Sequence, residues 1–148
     1  MDLRDLYQEV ILDHSRSPRN KRVPEGANRT SEGHNPLCGD EVRIHALVED
    51  GRIKDIGFDG SGCAISTAAT STMTEAVKGL SVHDSMKLFD CFHSVVTGKN
   101  AFPDLDILGK LGVFTGVSEY PMRVKCATLP WHTLRAALEN PSQKVTTE

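Results

Sequence analysis

The sequence predicts an α+β fold in which a small antiparallel β-sheet of about three strands packs against several α-helices. Apolar residues recur at helical spacing near both ends of the chain, and two alternating segments meet at Asp50-Gly51 in its middle. No repeat or linker divides the 148 residues. With 39% hydrophobic and 25% charged residues the composition is that of one ordinary domain. A chain of this size buries roughly 70% of its unfolded surface, so it needs no cross-links to fold. A single domain over residues 1–140 is expected, followed by a frayed tail over 141–148.

Leu3, Leu6, Tyr7, Val10 and Ile11 form one stripe of an amphipathic helix from Asp2 to about His14. Ser15 to Glu32 is polar and broken by Pro18, Pro24 and Gly26, which reads as a loop with room for a short extended piece. Its Arg16, Arg19, Lys21 and Arg22 form a basic cluster, either a solvated face or a docking patch for an acidic surface. Glu41 to Glu49 alternates Val42, Ile44, Ala46 and Val48 with the opposite face, and Arg52 to Phe58 follows after Asp50-Gly51. That dipeptide supplies the positive φ angles of a two-residue hairpin.

Gly60-Ser61-Gly62 ends the second strand, and the small side chains from Cys63 to Lys78 allow a helix to lie close to the sheet. Gly79 closes that helix. Ser81 with Asp84 three residues later opens another, whose buried face carries Val82, Met86, Phe89, Val95 and Val96. Asp104 to Leu111 is read as a short helix. Pro130 is tolerated in a first helical turn but not deeper, so the last helix is expected to begin close to Cys126 and to run to about Asn140.

Seventeen Lys and Arg against twenty Asp and Glu leave a net charge of −3, which argues against binding nucleic acid. The first five residues lack the pattern of a secretion signal, and no apolar run is long enough to cross a bilayer, so the expected location is cytoplasmic, with no membrane partner. In a reducing compartment the four cysteines point to metal or thiol chemistry rather than disulfides.

Cys38 lies in the turn-forming Asn35-Pro36-Leu37-Cys38-Gly39-Asp40. Cys63 opens a helix, where the dipole and free N–H groups favour thiolate. Cys126 is expected near a second helix start, with Arg123 and Lys125 also favouring its ionised form. Asp40, two residues beyond Cys38, projects to the same side in an extended chain and is the natural fourth ligand. Three sulfurs and one oxygen suit zinc, and cysteine thiolates also suit an iron–sulfur cluster; spacing does not choose between them.

The three motifs, Asn35 to Asp40, Gly60-Ser61-Gly62-Cys63-Ala64-Ile65-Ser66 and Arg123-Val124-Lys125-Cys126-Ala127-Thr128-Leu129, resemble those of the iron–sulfur assembly proteins related to IscU and the N-terminal domain of NifU. The likeness runs from Leu6-Tyr7 and His14 through Pro18-Arg19-Asn20 to Trp131. Lys125 stands where IscU scaffolds carry histidine, and the interval from Cys63 to Cys126 is longer than theirs; both features resemble the SufU branch. The resemblance implies a zinc site of Cys38, Asp40, Cys63 and Cys126, a SufS-type pyridoxal-phosphate cysteine desulfurase as partner, and a downstream iron–sulfur assembly scaffold as recipient. Cys38, on its loop, is then the sulfur acceptor and Asp40 a ligand that tunes lability. Arg123 is the candidate for steadying a persulfide or docking to the desulfurase.

The first functional expectation is therefore a zinc-dependent sulfurtransferase that also activates the desulfurase. The alternatives are an IscU-like scaffold on which an iron–sulfur cluster is built and transferred, and a structural zinc module that unfolds without metal. Cys91, between Phe89 and Phe92, reads as a buried inert thiol. The six histidines form no pair at ligand spacing, although His34 precedes the Cys38 motif. Trp131 reads as core or contact surface.

Overall fold

The structure, a computed structural model, describes residues 3–99, 105–139 and 144–146. Helix α1 spans Leu3–Arg16, and three strands follow, β1 over Arg29–Asn35, β2 over Asp40–Glu49 and β3 over Arg52–Ser61. Next come α2 over Ala64–Val77, α3 over Val82–Val96, α4 over Leu105–Leu108, a 3-10 segment over Gly109–Glu119, α5 over Pro121–Glu139 and β4 over Lys144–Thr146. The sheet order is β3-β2-β1-β4, with β1, β2 and β3 antiparallel and β4 parallel to β1.

The hairpin between β2 and β3 forms because Asp50 and Gly51 both take positive φ, 54° and 73°. Val42, Ile44 and Ala46 face inward and are buried, while Glu41 and Arg43 alternate outward. Ser81 caps α3 as expected, its Oγ accepting the Asp84 N–H at 2.9 Å. Trp131, fully buried, stacks between Phe89 and Phe92 at centroid distances of 5.6 and 5.2 Å, which places it in the core.

Helix α5 lies on β1 and β2. Gly33 lets it approach, since a Cβ there would collide with Thr133 Oγ1 and press on Leu129. Helix α1 is fastened to α2 through His14, fully buried, whose Nδ1 pairs with Ser71 Oγ at 2.7 Å while the Arg19 N–H donates to the same oxygen at 2.8 Å. Burial pulls the His14 pKa below the ordinary histidine value.

Four expectations change. The polar stretch before Cys38 contains a full strand, β1, whose inward residues Ser31, Gly33 and Asn35 are small or polar and leave no hydrophobic alternation. Helix α5 begins at Pro121 rather than close to Cys126. Pro121 can occupy the first helical position, where its missing N–H goes unmissed, and Pro130 sits inside the helix. The short helix is α4 and continues into the 3-10 segment; Asp104 lies outside the described residues. In the tail, Lys144–Thr146 pairs with Glu32, Gly33 and His34 instead of fraying; 141–143 and 147–148 lie outside the described residues.

Candidate metal and thiol centre

The fold brings the three cysteine motifs together at one end of the sheet. The turn from Asn35 to Asp40 closes with the Cys38 N–H donating to the Asn35 carbonyl at 3.2 Å and Gly39 at φ 69°. That leaves the Cys38 side chain half-buried on the turn and Asp40 at the start of β2, fully buried. Cys126, 3% exposed, comes from the interior of α5, and its Sγ lies 3.4 Å from Cys38 Sγ. One ligand atom from each of Cys38, Asp40 and Cys126 lies within 4.8 Å of the others, so these three residues can hold a metal ion.

Cys63 borders this group. It is the residue that caps α2, and its Sγ accepts the Ser66 N–H at 3.3 Å. Its own N–H donates to Asp40 Oδ1 at 2.8 Å, and its Sγ lies 3.9 Å from Asp40 Oδ2. A hydrogen bond from Cys126, opposed by burial and aided by the Ser66 N–H, holds the Cys63 thiol down to about 7.

Cys126 departs from the sequence reading. It lies within α5 rather than at a helix start, and its pKa is raised instead of lowered. The hydrogen bond with Cys63 comes first among the causes, then burial, the contact with Cys38, and repulsion from Cys63 and Asp40. Three thiols and one carboxyl gathered at one end of the sheet form a donor set suited to a divalent cation, and three sulfurs with one oxygen match zinc's preferences.

Arg123 is exposed on the first turn of α5, with its guanidinium 4.5 Å from the centroid of the Tyr120 ring. Lys125 is half-buried. His34 is half exposed, its Nε2 4.0 Å from Glu41 Oε1, and does not join the cluster. Cys91 is half-buried rather than buried, in the wall of a cavity of about 650 Å3 lined by α2, α3 and α4 residues, apart from the other thiols. Of the basic cluster, Arg19 pairs with Asp13 at 2.8 Å and Arg22 with Asp55 at 2.7 Å, so half of it is neutralised within the chain.

Two residues that sequence reasoning gave no part in the site lie beside it. Tyr7 keeps its hydroxyl buried without a hydrogen-bond partner; burial raises its pKa, with Arg123 lowering it and Cys63 and Cys126 raising it. Asn35, fully buried, has neither side-chain atom paired. Tyr7 belonged to a helical stripe and Asn35 to a turn motif, and neither context signals an unpaired polar atom.

The NifU-like N terminal domain family matches residues 6–127. The chain belongs to this family. Among its relatives is the zinc-dependent sulfurtransferase SufU of Bacillus subtilis, 38% identical over 133 residues that cover 90% of this chain and 89% of the other. The iron–sulfur cluster assembly scaffold protein IscU of Streptococcus pyogenes is 37% identical, covering 93% and 85%. A crystal structure of a putative iron–sulfur cluster assembly scaffold protein for the SUF system from Fervidobacterium islandicum superposes with a TM-score of 0.84 at 38% identity, covering 91% of this chain and 98% of that one. The α+β arrangement expected from the sequence, with β1, β2 and β3 antiparallel and packed against helices, is the fold that superposes on this solved structure. Among the described residues no helix is long and apolar enough to cross a membrane.

Proposed function

We propose that this chain serves iron–sulfur cluster assembly as a zinc-dependent sulfurtransferase, taking sulfane sulfur from a SufS-type cysteine desulfurase onto Cys38 and handing it to a downstream assembly scaffold. The carrying observation is an asymmetry among the ligands. Asp40 and Cys126 are buried at 0% and 3% exposure, whereas Cys38 and Cys63 are both half-buried; Cys63 is tied to its helix cap through the Ser66 N–H, which leaves Cys38 as the half-buried thiol carried on a turn. A persulfide on another protein can reach only a thiol that is not sealed in the core.

Cys38, Asp40, Cys63 and Cys126 would hold the zinc, which supplies a charge that keeps thiols ionised at neutral pH. In the transfer itself, the Cys38 thiolate attacks the terminal sulfur of the donor persulfide. A sulfur–sulfur bond forms to Cys38 as the donor's own bond breaks, and the donor cysteine leaves as thiolate, so no external electrons enter. Arg123, exposed on the same helix as Cys126, offers a cation to the incoming persulfide or to the desulfurase surface. Lys125 supports transfer over cluster building, because a protonated lysine is no ligand.

The second reading, a scaffold that builds and transfers a cluster, is favoured by the IscU relatives of similar identity. One assay separates the two: desulfurase turnover with alanine at Cys38, Asp40, Cys63 or Cys126, and zinc measured in each. Loss of stimulation in Cys38→Ala with zinc retained supports transfer. An oxygen-sensitive cluster that moves to an apoprotein, with turnover indifferent to Cys38, overturns it.

A further inference from the structure

Asn35 ends β1 and pairs in register with Asp40, which begins β2. Cross-strand partners project to the same face with Cβ atoms about 4.5–5.5 Å apart, so the amide lies beside the carboxylate of the metal-binding group. Both residues are fully buried. Asp40 is engaged, since its Oδ1 accepts the Cys63 N–H. The Asn35 side chain is not: Oδ1 and Nδ2 are both sealed from solvent with no hydrogen-bond partner.

That is an expensive arrangement for a purely structural residue. The part Asn35 plays in shaping the turn is done by its main chain, whose carbonyl accepts the Cys38 N–H. A leucine of similar size would fill the same space with no orphaned polar atom, and replacing an unpaired polar group by an apolar one is neutral or stabilising. Native folds contain few such groups, and those they keep call for an explanation. The explanation available here is chemical. Directly across the ladder from Asn35 stands Asp40, one of the three residues whose ligand atoms cluster.

We infer that Asn35 is a positioning residue of the metal centre, its Nδ2 donating a hydrogen bond to the Asp40 carboxylate when a cation is bound. The inference rests on the metal-site reading above. Groups that hold ligands from behind fix their orientation, and losing one lowers metal affinity about 10- to 100-fold.

The test uses the full chain and Zn2+ alone, titrated against a chromophoric chelator, with melting temperatures recorded on metal-free protein. Asn35→Leu is expected to weaken Zn2+ binding by about 10- to 100-fold while melting at or above the temperature of the unaltered metal-free chain. Asn35→Ala removes the same donor with less bulk and should weaken binding in the same way. Asn35→Ser, which keeps a donor, should restore most of the affinity. Equal Zn2+ affinity in all three variants overturns the inference, as does a lower metal-free melting temperature for Asn35→Leu with affinity unchanged, the signature of a structural role. An unaltered chain that takes up no Zn2+ removes the metal-site reading and this inference together; uptake by the unaltered chain with parity among the variants removes only the inference.

Discussion

Strand β2 has a turn at each end, and the two differ in what they carry. At the far end Asp50 and Gly51 reverse the chain with two residues in the left-handed region, and nothing chemical is displayed there. At the near end Pro36, Leu37, Cys38 and Gly39 intervene between Asn35 and Asp40, again with one glycine at positive φ. The longer connection lifts a thiol out of the ladder while keeping it 3.4 Å from a sulfur on α5. Reversal alone needs only the shorter turn. The extra residues at the other end hold a reactive group against the scaffold without burying it.

The sharpest test of this contrast is Cys38→Ala, which should eliminate sulfur acceptance altogether, seen as loss of persulfide on the chain by mass spectrometry, while leaving the fold intact. Persistence of the persulfide on the variant would assign the acceptor elsewhere. Asp40→Ala comes next. It strips the Cys63 N–H of its acceptor inside a buried site, and should cost about 1–3 kcal/mol in urea unfolding of the metal-free protein. Asp50→Ala at the opposite turn should cost clearly less, and equal losses would erase the distinction between the two ends.

Titration gives a third check. In metal-free protein Cys63, held down to about 7, should alkylate with a rate that climbs through that pH, while Cys126, whose pKa is raised, stays inert until the medium is much more alkaline. Away from the site, His14, His93 and His132 all have lowered pKa values, each chiefly through burial. The unfolded chain therefore takes up protons near the ordinary value of 6.5 that the folded chain resists. The histidine contribution to stability should be constant above that pH and fall as the medium is acidified below it, and a flat denaturation midpoint from pH 7 to 5 would contradict this. The smallest effect distinguishes the turns once more. Gly39→Ala and Gly51→Ala each place a Cβ at positive φ and should each cost about 1–2 kcal/mol, but only the first should slow sulfur acceptance.

What the sequence made legible was whatever is decided locally. Asp50-Gly51 specifies its turn by the φ angles it tolerates, and Ser81 with Asp84 specifies a helix start by satisfying its own N–H groups. Cys38 and Cys63 could be named because a turn and a cap announce themselves in residue type, whereas Cys126, inside α5, was reached through the likeness of its motif to those of the assembly proteins. What stayed hidden depends on partners distant in the chain. The inward face of β1 is Ser31, Gly33 and Asn35, residues buried only because α5 covers them. The segment Gly109–Glu119 carries Gly109, Gly112 and Gly116 and has no helical period to read. Pro130 misled the placement of α5 because its interior position is tolerated by tertiary packing that no local rule contains. The acidity of Cys126 was inverted by neighbours distant in the chain, the Cys63 and Cys38 thiols, together with burial.

The close seat of α5 on β1 has a reach beyond its own contacts. Gly33 lies on the strand that leads into the Cys38 turn, and Thr133 lies on the helix that bears Cys126. A methyl group at residue 33 would act as a wedge between those two arms and pry the paired sulfurs apart from a distance. The gauge of the whole centre is thus set by the smallest side chain in its foundations, well outside the ring of atoms that would ever touch an ion.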